Sequence, residues 1–141
     1  MMKQFIADGL AFTYPADWKL EQEDSAEGWT VTLQSPGTAF AVIQLDRDLP
    51  DPRQVVEEAL GALREDYPNL EADSALENIA GEMALGHDIE FIHLDMLNSC
   101  RTRSFYGPAG TVFLLCQWSG ADSEDFESSL DGIVKSVKSE E

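Results

Sequence analysis

Basic residues are scarce in this chain: nine lysines and arginines face 27 aspartates and glutamates, a formal net charge of −18 across 141 residues. Such a field repels phosphate backbones and anionic lipid headgroups alike, so neither a nucleic acid nor a membrane is expected as a partner. Cysteine is nearly absent. Cys100 and Cys116 cannot build a disulfide framework or a C-x-x-C redox pair, and they read as small buried hydrophobes. Only two histidines occur, His87 and His93, and neither H-x-H nor H-x-x-x-H spacing exists to hold a metal. Phosphate loops, dinucleotide fingerprints and a G-x-S-x-G elbow are missing, so no cofactor is expected and no residue is assigned as catalytic. No run approaches the roughly 20 apolar residues of a membrane span. The opening MMKQFIADGLAF lacks the apolar stretch of a signal peptide, which makes the cytoplasm the expected compartment.

What is present suffices for one core. Hydrophobic residues make up 43% of the sequence, and residues 1–141 read as a single domain without repeats or linkers. The acids are spread out: Glu21, Glu23, Asp24 and Glu27 in a loop, Glu57, Glu58, Glu65 and Asp66 on a helix, and Asp122, Glu124, Asp125 and Glu127 at the start of another. That distribution describes solvated faces.

Period-2 alternation predicts two short strands in GLAFTYPADWKLEQ (9–22), broken at Tyr14-Pro15, and a hairpin of GWTVTLQ (28–34) with AFAVIQLDR (39–47). At 51 the period changes. Asp51 is placed to cap a helix, Pro52 suits its first position, and Gln54 completes a capping-box pattern. Val55, Val56, Ala59, Leu60, Leu63 and Tyr67 then follow at helical spacing, and Tyr67-Pro68-Asn69 ends the run. A three-strand meander follows: about Glu82 to Leu97, a turn at Asn98-Ser99, Cys100 to Tyr106, a GPAG turn, and TVFLLCQWS (111–119), which is apolar on both faces. A last helix, capped by Asp122 or Ser123, carries a stripe of Phe126, Leu130, Ile133, Val134 and Val137, with Lys135 and Lys138 in its final turn. The order predicts an α+β domain, an antiparallel sheet flanked by helices in an α/β/α sandwich.

Chemistry concentrates in LGHDIEFIHLD (85–95), where both histidines stand among Asp88, Glu90 and Asp95. On an extended strand His87 and His93 share a face but lie about 20 Å apart, too far to bind one ion. A turn at Asn98-Ser99 would set His93 opposite Ser104 and Asp95 opposite Thr102. Arg101 and Arg103 share a face, to clamp an anion or to pair with Asp95, Glu90 or the helix acids. In the same register Cys100 and Cys116 project from opposite faces, so no bridge between them is expected. Trp29, if exposed, would anchor a partner.

The opening GLAFTYPADWKL carries an F-x-x-P-x-x-W pattern, Phe12, Pro15 and Trp18, and the closing helix FESSLDGIVKSVK ends in I-x-x-S. With the element order, these residues resemble the Mog1/PsbP-like fold, including its bacterial DcrB branch. The resemblance implies that Phe12 and Trp18 anchor the first strands while Pro15 turns the chain between them. Members include a Ran-binding import factor, extrinsic photosystem II subunits and Eag chaperones of secreted effectors, which share binding to other proteins. Here Lys19-Leu20-Glu21 follows Trp18 in place of the G-W-x-D-R type continuation of the Eag chaperones. The resemblance implies a non-enzymatic protein-binding or chaperone-like module whose partner is another protein. The alternative is a small-ligand or enzymatic domain with a pocket between helix and sheet, using His93, Ser104 and Arg103.

Overall fold

The computed structural model describes residues 1–122 and 124–139. Strands β1 (Met2–Ala7) and β2 (Leu10–Pro15) form a hairpin, and the short β10 (Lys138–Ser139) extends it to a three-stranded sheet ordered β1-β2-β10. A seven-stranded sheet contains β3 (Lys19–Asp24), β4 (Gly28–Gln34), β5 (Phe40–Asp46), β6 (Glu71–Ile79), β7 (Glu82–His93), β8 (Met96–Tyr106) and β9 (Thr111–Ser119). Its order is β3-β4-β5-β9-β8-β7-β6, antiparallel throughout. Helix α1 (Pro52–Asp66) packs on one face against β7, β8 and β9, while α2 (Glu124–Ser136) and the small sheet cover the other. This is the α+β sandwich the sequence predicts.

The main core lies between the large sheet and its α2-side cover. Strict alternation in β4 turns Trp29, Val31 and Leu33 inward to meet Ile43 and Leu45 of β5, Leu10 and Phe12 of β2, and Leu130 and Ile133 of α2. Trp29 is therefore buried and is no partner anchor. Its Nε1–H donates to Asp8 Oδ2 at 2.7 Å, and Arg47 Nη2 donates to the same oxygen at 2.8 Å, so one turn carboxylate ties the two sheets together.

The F-x-x-P-x-x-W and I-x-x-S residues meet at one seam. Phe12 and Trp18 are buried, and the Trp18 N–H donates to the Pro15 carbonyl at 3.1 Å. The Thr13 N–H donates to Ser136 Oγ at 2.9 Å, and the Ser136 hydroxyl reaches the Ile133 carbonyl at 2.7 Å. Ser136 thus continues, through its side chain, the pairing that β10 makes with β2 one step further along.

Helix α1 starts where expected: Asp51 Oδ1 accepts the Arg53 N–H at 2.9 Å, and Pro52 follows the cap. The capping box does not form, because Gln54 Nε2 donates along the helix to Glu58 Oε1 at 3.1 Å. Lys138 belongs to β10, since α2 ends at Ser136. The acids Glu21, Glu23 and Asp24 lie on β3 and not in a loop.

Three strands escaped prediction, β1, β6 and the short β10, and β6 gives the meander four strands. Its β7–β8 turn is at Leu94-Asp95, with His93 facing Met96. Asp95 therefore sits in the turn, and Thr102 faces His87. The β8–β9 register around GPAG is as predicted, Tyr106 facing Thr111.

Asp122 does more than precede α2, and the alternative cap Ser123 lies outside the described residues. Its carboxylate accepts the Ser119 N–H at 2.9 Å, the Thr38 N–H at 2.9 Å and the Thr38 hydroxyl at 2.5 Å, fastening the β4–β5 loop to the end of β9. Partial burial pushes its pKa up, but these donors outweigh that and hold it below the ordinary value of 3.8. A carboxylate with a depressed folded pKa stabilises above its unfolded pKa, and the contribution disappears as pH falls through the folded value. The urea midpoint of Asp122→Asn is therefore expected below wild type at neutral pH, and the gap should close under acid. A gap constant across that range would show that ionisation of Asp122 is not its source.

Candidate functional site

Placed on this fold, the residues nominated by the sequence do not converge. Ser104 faces α1, fully buried, and its hydroxyl donates to the Val112 carbonyl at 2.7 Å; its neighbours across the strands are Leu85 and Phe113. Arg103 projects from the opposite face. His93 is exposed at the far end of β7. Among the described residues, His93 lines the cleft beside Tyr67 and Arg103 a separate one on the α2 side, so the three do not meet.

The arginines are engaged in ion pairs: Arg101 takes a helix acid, as expected, whereas Arg103 takes strand carboxylates other than Asp95 and Glu90. Arg103, only 5% exposed, donates from Nε to Glu77 Oε1 at 2.6 Å and from Nη2 to Asp88 Oδ1 at 2.9 Å. Its Nη1 serves the carbonyls of Thr102 at 2.8 Å and His87 at 3.2 Å. Arg101 pairs with Asp131 of α2 at 2.7 Å, approaches Asp88 at 3.6 Å, and lies over the Trp118 ring. Four of the five guanidinium donors of Arg103 are taken, so it braces β6, β7 and β8 and cannot clamp an anion.

His87 is buried beneath α1, its Nε2 3.5 Å from Glu57 Oε1. Among the described residues no group of three or more His, Cys, Asp and Glu could hold a metal ion. Cys100 and Cys116 are free and buried on opposite faces, Cys100 under α1 and Cys116 in the main core. Burial pushes both thiols up to about 12.

The feature that stands out chemically is the tip of the β7–β8 hairpin. β7 runs past its last partner on β6, Glu90 facing Glu71, and β8 begins before its first partner on β9, Asn98 facing Ser119. Residues 92–97 therefore extend beyond the neighbouring strands. They expose Ile92 at 65%, Leu94 at 85%, Met96 at 38% and Leu97 at 45%. Ile92 and Leu97 pair on one face of the hairpin, Met96 faces His93 on the other, and Leu94 caps the turn, so the tip exposes apolar side chains in every direction. Beside the tip, Tyr67 at the end of α1 stacks on Phe91, centroids 4.0 Å apart, and meets His93 edge-on at 5.5 Å. An open cleft of about 650 Å³ lies there, lined by Tyr67, Pro68, Leu70, Phe91, His93 and Leu94. The carboxylates of the tip and cleft are Asp66, in the cleft lining, and Asp95, in the turn.

The turn itself is strained. Three two-residue hairpin loops have both central residues at positive φ: Asp8-Gly9, Ala80-Gly81 and Leu94-Asp95. The first two place glycine second, as this turn prefers. The third places leucine at φ 54° and aspartate at φ 61°, a conformation that costs a side-chain-bearing residue on the order of 1 kcal/mol. A large apolar side chain at that position, held out into solvent, serves no packing inside the molecule. Sequence reasoning missed this site because Asn98-Ser99 is the better turn dipeptide; the exposed apolar pairs became visible only in the correct register.

No known family description matches the sequence, and no curated protein does. Solved structures do match, and they define the class. The chain is similar to cyanobacterial PsbP (CyanoP) from Synechocystis sp. PCC 6803, with TM-score 0.59 and 12% identity, covering 98% of this chain and 92% of that one. It is similar to LpqN of Mycobacterium tuberculosis, involved in cell envelope biogenesis, with TM-score 0.51 and 14% identity, covering 92% and 82%. A Bacteroides thetaiotaomicron VPI-5482 protein matches with TM-score 0.57 and 14% identity over 99% of this chain, which spans only 48% of that protein. The architecture is the Mog1/PsbP-like fold.

Proposed function

We propose that this chain is a non-enzymatic protein-binding module, and that the β7–β8 tip is its docking element. The occupant is an apolar segment of a partner protein flanked by lysine or arginine. One observation carries the reading: four exposed apolar side chains on a projecting hairpin, one of them, Leu94, held in a strained turn conformation. Apolar anchors supply affinity, and the surrounding carboxylates steer a basic partner in an acidic field. The opening motif supports a place beside the DcrB branch, and two unpaired thiols suit a cytoplasmic setting.

The test uses a double variant, L94N/D95G, which installs the dipeptide this turn prefers. It is expected to raise the urea midpoint by about 1 kcal/mol of stability while weakening docking about tenfold. An amphipathic peptide of leucine and lysine serves as probe, with a leucine–glutamate peptide as control, followed by residue-resolved NMR shifts. Shifts centred on 91–97 that fade in the variant support the reading. Unchanged affinity in the variant, or shifts elsewhere, would sink it.

A further inference from the structure

An open sheet edge lies along β6, on residues separate from the hairpin tip. β6 occupies one edge of the seven-stranded sheet and pairs only with β7, through nine consecutive residues without a bulge. No hydrogen bond joins its outer side to another described element, so alternate backbone N–H and C=O groups face outward over about 30 Å. Sheets blunt such edges with lysine, proline, bulges, short strands or charge on both faces. The opposite edge, β3, follows that practice: it is six residues long and carries Lys19, Glu21, Glu23 and Asp24. β6 has no proline or lysine, and all its charge is on one face.

Its two faces differ in chemistry. Toward α2 lie Glu71, Asp73 and Glu77, of which Glu77 is already bonded to Arg103. Toward α1 lie Ala72, Ser74, Leu76 and Asn78, with no charge. Leu76 is 70% exposed, and Met83, facing Asn78 on the same side, is 61% exposed. Behind them a cleft of about 380 Å³ opens between α1 and the sheet, lined by Arg53, Val56, Leu76, Leu85 and His87.

We infer that β6 accepts an extended partner segment as an added antiparallel or parallel strand, and that this segment alternates basic and apolar residues. Cross-strand pairing decides the chemistry. Every second side chain of the incoming strand falls beside Glu71 and Asp73 and must be lysine or arginine. The intervening ones fall beside Ala72 and Leu76, above the cleft, and must be apolar. A second copy of this chain is excluded as the occupant, because β6 against β6 sets carboxylates beside carboxylates between two molecules of charge −18.

A synthetic peptide alternating lysine and valine is the probe, compared with a glutamate–valine peptide and with a lysine–valine peptide N-methylated at alternate residues. The unmodified lysine–valine peptide is expected to bind, to shift the NMR signals of residues 71–79, and to slow hydrogen exchange of outward β6 amides. N-methylation removes ladder donors while leaving the side chains, and should weaken binding about tenfold or more. Glu71→Lys with Asp73→Lys, both at exposed positions, should do the same, as should Leu76→Lys. L94N/D95G should leave this binding unchanged, which separates it from the tip. Equal binding of the N-methylated peptide would mean that charge alone holds it and would overturn strand addition. Shifts centred on 91–97 would assign the peptide to the tip and overturn it equally.

Discussion

Gly86→Ala is expected to lower stability by about 3 kcal/mol or more, although it adds a single methyl group. Gly86 faces Arg103 in the β7–β8 ladder, and a Cβ there would overlap the carbonyl oxygen of Thr102, with the Arg103 Cα close behind. All these atoms are backbone, so the clash is relieved only by moving β7 off β8. That movement would also disturb the Thr102 carbonyl that Arg103 Nη1 holds at 2.8 Å. The informative comparison is Gly61→Ala in the middle of α1, where an added Cβ meets nothing within 4 Å. Alanine there is expected to stabilise by about 0.5–1 kcal/mol through helix propensity and a less flexible unfolded chain. Urea midpoints of the two variants should therefore move in opposite directions. If Gly86→Ala unfolds at the wild-type midpoint, the close approach of the two strands in this region is wrong.

Much of this fold was legible because alternation and caps are local. Trp29, Val31 and Leu33, the Asp51 cap with Pro52, and the GPAG turn each follow from a few neighbouring residues, and each is where the sequence places it. The β7–β8 register was not, because Asn98-Ser99 outscores Leu94-Asp95 on turn chemistry alone. The resulting slip, His93 in place of Leu85 opposite Ser104, is eight positions. An even slip leaves every side chain on its proper face, so the separation of Cys100 from Cys116 survived it. A cue was available: only the observed register sets Asp88 directly opposite Arg101. β6 was missed for a different reason. EADSALENI has exposed charge on one side and a mixed set, Ala72, Ser74, Leu76 and Asn78, on the other, without the β-branched alternation that marks a strand. Its neighbour β7 makes it a strand, and tertiary pairing cannot be read locally. The tip went unseen with the register, so the proposed docking site depends on topology that local sequence does not carry.

Arg103→Met should cost about 3 kcal/mol, and the size of that loss tests how β6 is held at the sheet edge. Methionine keeps much of the side-chain volume but removes every donor. The carbonyls of Thr102 and His87 then lose a partner in the interior, and Glu77 and Asp88 lose theirs. The two carboxylates are unequal. Glu77 lies at 2.6 Å with its side chain 37% exposed, whereas Asp88 is 54% exposed and also approaches Arg101. Water can reclaim Asp88 more easily, so a double-mutant cycle should give a larger coupling of Arg103 with Glu77 than with Asp88. Adding Glu77→Gln to Arg103→Met should recover part of the loss, since an unpaired carboxylate beside the core costs more than an amide. Glu77 is on β6, so Arg103 reaches across β7 from β8 to fasten the outermost strand. Hydrogen exchange should therefore quicken first at β6 in Arg103→Met, with β4 and β5 protected as before. A uniform rise across the sheet would mean that Arg103 supports the core as a whole. A rise confined to β6 would make it the brace that keeps an open edge straight enough to receive another strand.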